Sequence, residues 1–254
     1  MDDLTQWKAK RLAALTAPDG WLNLTDRVEI PPGPQRVGHA ADNDLVLSVG
    51  PDHLGVLEVT ASGANFAQPG QTPVAFAPAP GGFPQLAVGS LLLELHTVDG
   101  TPALRVRDLT APREVELHYF AQAPDWVIRA RWERLDRPEA ATIGQRGGGD
   151  THVTLTHVAR FTHQGHDIAL VPTHWKAGQP MFVIRDATSG HETYAASRFL
   201  MGEDMTDDAI TLDFNRAFTP PCGFTPFAIC PLPPRQNILP FAVRAGELMP
   251  QTAP

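Results

Sequence analysis

Apolar residues recur at helical spacing in one stretch of this chain, its beginning. Between Asp2 and Thr16, the residues Leu4, Trp7, Leu12 and Leu15 form a stripe, with Lys8 and Arg11 at related positions. Asp2 and Asp3 stand near the positive end of the helix dipole, and Pro18, Asp19 and Gly20 end the segment. The pattern predicts one long helix whose apolar stripe packs on a barrel or sandwich. From Trp21 onward the spacing changes to short apolar runs between turns, such as "DLVLSV", "HLGVLEVT" and "LAVGSLLLELHTVDGTPALRVRDL". In the last of these, Val98-Asp99-Gly100-Thr101 reads as a hairpin turn. Further strands are expected over 115–119, 126–135, 153–161, 168–171, 181–185, 210–214 and 241–244. In the second of these, Val127, Ala130 and Trp132 are set against Arg129, Arg131 and Glu133.

Composition supports a mostly β protein, because 25 Pro and 21 Gly among 254 residues would repeatedly interrupt long helices. A formal net charge of −8 argues against nucleic acid or an anionic membrane as the main partner. The start, "MDDLTQWKAK", has neither the basic nor the apolar region of a secretory signal, so a cytoplasmic location is expected. Apolar runs such as "LLLEL" are too short to span a bilayer. The glycine-rich "GQRGGGD" is not followed by Lys-Ser or Lys-Thr and reads as a turn rather than a phosphate loop. No ATP, nicotinamide or flavin motif is visible, and no cofactor is expected.

The segment "RVGHAADNDLVL" resembles the start of a forkhead-associated domain, a β-sandwich that binds phosphothreonine peptides. Gly38, Asp42, Asn43, Asp44, Leu45, Val46 and Leu47 fit that family's frame, and His53 fits its later histidine. His39 stands where the resemblance calls for a phosphate-holding Arg, and Pro51-Asp52 where it calls for Ser-Arg. A neutral imidazole cannot replace a guanidinium fork, so the resemblance implies a sandwich without phosphothreonine recognition.

The segments "RDATSGHETYAASRFL" and "LDFNRAFTPPCGFTPFAICPLPPRQNILPFAVRAGEL" are similar to the family catalogued as domain of unknown function 1684. Asp186, Thr188, Gly190, Thr193, Tyr194 and Arg198 fit the first part of its pattern. Asp213, Phe214, Asn215, Cys222, Cys230, Asn237, Gly246 and Glu247, with the intervening prolines, fit the second. The chain has Phe218 and Phe227 where the family tends to have tyrosines. The resemblance implies an architecture and a candidate patch, without an activity. Three parts are expected: an N-terminal helix over 1–18, a forkhead-associated-like β domain over 19–112, and an antiparallel β barrel or sandwich over 113–254.

The proline-rich stretch 220–234 cannot be a central strand and is expected to form a fixed cover over the C-terminal domain. Asp213 and Asn215, two apart on a strand, would face the same side at its root. With Tyr194, Arg198, Cys222 and Glu247 they form the candidate binding residues for a small polar or anionic molecule. The alternatives are a hydrolase-like enzyme using Asp213, Cys222 and Arg198, and a protein-interaction module built on the N-terminal half. Two cysteines lack the further ligands a zinc site needs, so no metal is expected. Cys222 and Cys230 read as small buried residues or an optional disulfide.

Overall fold

A computed structural model describes residues 3–61, 63–79, 82–98, 100–146 and 149–251. Asp2, Asp99 of the expected hairpin turn, and Gly147–Gly148 of the glycine-rich turn lie outside the described residues. The fold is mostly β, with one α-helix among the described residues, Asp3–Thr16. It divides into two compact units, one comprising 14–114 and the other comprising the first 13 residues together with 115 onward.

The 14–114 unit is built from two sheets. In the first, Leu24–Glu29, Thr101–Asp108, Leu91–Val98 and Gln85–Val88 are neighbours in that order and antiparallel. The second holds Leu45–Val46, Gln35–Gly38, Gly55–Thr60, Gly63–Ala67 and Val74–Ala75, its first pair parallel. Leu93, Leu104 and Val106 of one sheet pack with Val37, Leu45, Leu57 and Phe66 of the other. The Thr101–Asp108 strand is buried on both faces, because Ala103, Arg105 and Arg107 are as covered as Leu104 and Val106. In the "RVGHAADNDLVL" segment the polar residues tie a turn. The Asn43 amide donates to the Ala40 and Asp52 carbonyls at 2.7 Å each, and Arg36 is held by Asp44 at 3.1 Å. A Cβ on Gly38 would lie 2.2 Å from the Asp52 carbonyl oxygen, so only glycine permits that approach.

The second unit centres on an eight-stranded sheet. Its ladder runs His166–Leu170, Asp150–His163, Val127–Arg146, Ala209–Asp213, Arg198–Glu203, Gln179–Ile184 and His174–Lys176, all antiparallel, with Cys230–Pro231 added beside Arg146. Among the described residues this sheet does not close into a barrel. Trp126, Ala130 and Trp132 point into the core with Phe182, Leu200, Ile210, Leu212 and Phe214, while Val127 faces outward. The strand expected to end at 135 continues to Arg146, with an irregular register between Arg134 and Glu139.

Two expected strands are absent. Over 115–119 a single bridge, Tyr119 to Glu247, replaces a ladder. Over 241–244 the alternation is real, since Phe241, Val243 and Ala245 are buried. The Phe241 carbonyl accepts from the Ala187 amide at 3.1 Å, but beyond it the partners are side chains: the Val243 amide donates to Asp186 at 3.1 Å, and Arg198 donates to the Val243 and Ala245 carbonyls. Periodicity reports burial, and burial here comes without a partner strand.

Candidate functional site

The cover segment is irregular, as its prolines require, with three-residue 3-10 turns at Pro221–Gly223 and Arg235–Asn237. At its root, Asp213 ends a strand and caps the turn Phe214–Arg216. Its carboxylate accepts from the Asn215 amide at 3.0 Å and from the Asn215 side chain at 2.9 Å. The two residues thus meet through a cap rather than through strand alternation. Asn215 is further committed to both backbone groups of Ala123, at 3.0 and 3.1 Å. Asp213 pairs with Arg216, not Arg198, and Arg216 also reaches Glu203 and Asp3.

Arg198 is buried at 1% exposure and donates to Asp186 at 2.8 Å. The other Asp186 oxygen accepts from the Thr188 amide at 2.8 Å and hydroxyl at 2.6 Å. This cluster replaces the missing strand ladder at 241–245. Glu247 belongs to another network: it accepts from the Thr219 amide at 2.8 Å and from Arg11 of the helix at 2.9 Å. Burial, then the nearby Glu247 charge, push the Tyr119 hydroxyl above its ordinary range. A Cβ on Gly246 would lie 2.4 Å from the Ala217 carbonyl oxygen, so its positive φ of 83° lets the chain run close enough for Glu247 to reach Thr219. The convergence expected beneath the cover is therefore corrected: Arg198, Glu247 and the Asp213–Asn215 pair each serve a different structural network.

Tyr194 and Cys222 do meet. The Tyr194 hydroxyl donates to the Cys222 carbonyl at 2.7 Å, and Arg146 stands over the Tyr194 ring at 5.6 Å. Both cysteines are buried and no disulfide joins them, and the Cys222 amide points at the Cys230 sulfur at 3.3 Å. A hydrogen bond with the Cys230 thiol lowers the Cys222 thiol to about 7 against the effect of burial; Tyr194 and Arg146 act in the same direction. A groove of about 440 Å³ lies elsewhere on this unit, but its Arg160 is engaged by Glu133 at 2.8 Å and its Thr162 by Asp167 at 2.7 Å. Among the described residues no cluster of three His, Cys, Asp or Glu side chains is arranged to hold a metal ion.

A second polar cluster, in the 14–114 unit, was not singled out in the sequence. Arg27, Arg105, Glu94 and Gln85 are register partners across all four strands of the first sheet. Glu94 holds Arg105 at 3.1 Å and Arg107 at 3.3 Å, while Arg27 reaches only Glu29 at 4.0 Å. Glu94, His96, Arg105 and Arg107 are all buried. Trp21 and Phe83 cover the Arg105 guanidinium. Among the described residues, Arg27 Nε, Arg105 Nε and His96 Nδ1 are buried without a hydrogen-bond partner, and Arg107 Nη1 has only its ion pair with Glu94. Burial works to raise the Glu94 carboxyl, but Arg107, Gln85 and Arg105 outweigh it and the net shift is downward. Burial, then Arg105 and Arg27, push His96 down to about 4, leaving a neutral imidazole among cations. The signal available in sequence was "LELHTVDGTPALRVRD", where Glu94, His96, Arg105 and Arg107 share one strand parity.

The family model of a protein of unknown function, DUF1684, matches residues 115–248. The chain belongs to this family. Arg198, Asp186, Glu247, Tyr194 and both cysteines lie inside the DUF1684 span, whereas the arginine cluster lies outside it. The solution NMR structure of an uncharacterised protein from Haloarcula marismortui is 29% identical, with 52% of this chain and 75% of that chain covered and a TM-score of 0.44. No curated protein matches the chain. Among the described residues no helix is long and apolar enough to cross a membrane.

Proposed function

We propose that the protein binds a small anion, of the phosphate, sulfate or dicarboxylate class, on the arginine face of its 14–114 unit. The observation that carries this reading is the surplus of cations: Arg105 and Arg107, both buried, and the partly buried Arg27 have a single short-range carboxylate, Glu94, among them. An uncompensated buried ion costs several kcal/mol, and a doubly charged ligand would offset that cost. Guanidinium N–H groups left without acceptors supply donors suited to planar or tetrahedral oxyanions. His96, neutral above about pH 4, adds a group able to donate or accept. The reading keeps the ligand class expected from sequence and moves its site out of the C-terminal unit.

The test is calorimetric titration of the full chain with inorganic phosphate, sulfate and oxalate, alongside Arg27→Gln. Arg27 is the least buried of the three arginines, so its replacement disturbs packing least. Saturable binding of at least one anion, weakened about tenfold or more in Arg27→Gln, is the expected result, a change of roughly 1.4 kcal/mol. A chain that takes up none of the three, with Arg27→Gln folded and unchanged in midpoint, makes the cluster purely structural.

A further inference from the structure

Cys222 and Cys230 form the one pair of nucleophilic sulfurs in the chain, and their setting differs from that of inert buried cysteines. Cys222 sits in the turn Pro221–Gly223, fixed on one side by Pro220 and Pro221. Cys230 is pinned by pairing with Arg146 at the end of the Val127–Arg146 strand. Backbone on both sides is therefore held, and the Cys230 sulfur comes within 3.3 Å of the Cys222 amide nitrogen, yet the two thiols are unbridged. Cys222 is the more open of the two, at 8% exposure against 2%. Beside them stand an exposed cation, Arg146, and the Tyr194 hydroxyl, which donates to the Cys222 carbonyl. A cation thus lies beside the pair, the first cysteine is less covered than the second, and the second sulfur is held against the backbone of the first.

We infer that Cys222 and Cys230 are a hydroperoxide-reactive dithiol, in which Cys222 is oxidised first and Cys230 resolves it to an intramolecular disulfide. The Cys222 thiolate attacks the outer oxygen of a hydroperoxide; an S–O bond forms, the O–O bond breaks, and the departing oxygen takes a proton and leaves as an alcohol or as water. Two electrons pass from sulfur to the peroxide. The Cys230 sulfur, losing its proton, then attacks the Cys222 sulfenic sulfur; an S–S bond forms, the S–O bond breaks, and hydroxide leaves with that proton as water. A cellular dithiol of the thioredoxin type restores both thiols by exchange, becoming oxidised itself. With Cys222 only 8% exposed, hydrogen peroxide is favoured over bulky hydroperoxides. Arg146 and Tyr194 are positioning residues: Tyr194 holds the Cys222 turn through its carbonyl, and the Arg146 charge favours the thiolate.

The test titrates the folded full chain with hydrogen peroxide, counts free thiols and maps peptides without reduction. One equivalent is expected to consume both thiols, lower the mass by two hydrogens and link Cys222 to Cys230, with full recovery in dithiothreitol. Cys230→Ser is expected to stop at a sulfenic acid on Cys222, captured by a 1,3-dicarbonyl reagent. Arg146→Gln is expected to move the pH midpoint of Cys222 alkylation upward, toward the ordinary thiol value near 8.5. Thiols that survive peroxide in the folded chain and react only in urea overturn the inference, as does a bridge formed only between chains. Should Cys230→Ser not fold, the mapping of the unaltered chain still decides.

Discussion

Arg198→Met removes one of the most deeply buried charges described in the DUF1684 unit while keeping a similar apolar stem. Three contacts go with it: the ion pair to Asp186 at 2.8 Å, the hydrogen bond to the Val243 carbonyl at 2.9 Å, and the one to the Ala245 carbonyl. Asp186 is left in a site exposed to 6% with Thr188 and Val243 still donating but its cation gone. Two carbonyls lose their donors, at about 1–3 kcal/mol each where no water replaces them. Breaking a buried pair from one side generally costs about 3–5 kcal/mol, and the same range is expected here. That is a large share of the roughly 5–15 kcal/mol that stabilises a typical domain. Urea unfolding followed by tryptophan fluorescence suits the measurement, since Trp126 and Trp132 lie in the same core. The double variant with Asp186→Ala should cost less than the sum of the singles by more than about 1 kcal/mol. Arg244→Gln, at the exposed pair with Glu192, serves as a control with no expected midpoint change. A cost under about 1 kcal/mol for Arg198→Met would refute the structural assignment and return Arg198 to the list of ligand-binding residues.

Other consequences are equally measurable. Glu247→Gln weakens the seat of the helix by about 1.5–3 kcal/mol, the scale of a hydrogen bond to a charged group, and should appear as faster amide exchange over residues 3–13. His96 titrates near 4 in the folded chain and near 6.5 when unfolded, so the unfolded chain binds the extra proton between those values. Stability of the 14–114 unit should therefore rise with pH from about 4 to about 6.5, by at most about 3 kcal/mol, and be lost as pH falls through that window; His96→Gln should flatten the profile. Gly246→Ala forces a side chain onto the Ala217 carbonyl at a positive φ and should destabilise more than a surface substitution, read as a lower thermal midpoint.

The class of fold was legible because proline and glycine spacing and short alternating runs are local properties. So were the helix 3–16 and most strands of the DUF1684 unit. What escaped was the identity of hydrogen-bond partners. The run from Phe241 to Ala245 alternates as a strand does, yet Asp186 and Arg198 take the place of a neighbour, and nothing local marks that exchange. The candidate residues were correctly flagged as polar and confined, but sequence spacing could not say that Arg198 turns to Asp186 and Glu247 to Arg11. Glu94 and the arginines were hidden for the opposite reason. On an apparently ordinary hairpin, exposed charge is the default expectation, and only the cover of Trp21 and Phe83 makes those charges buried.

Arg11 and Glu247 bring opposite ends of the numbering into one body, with the whole 14–114 unit intervening between them. That makes the 14–114 unit an insertion within the chain of a unit to which residues 3–13 contribute a few turns of helix. Arg113 fastens the splice by donating to the Thr16 carbonyl at 3.0 Å, so the entering and leaving chains are tied at the neck. During synthesis the helix must wait, its Trp7 and Arg11 unpartnered, until Phe218 and Glu247 have been made. A fragment cut to the matched family span would lack that helix and leave a carboxylate, two phenylalanine faces and a tyrosine without their cover.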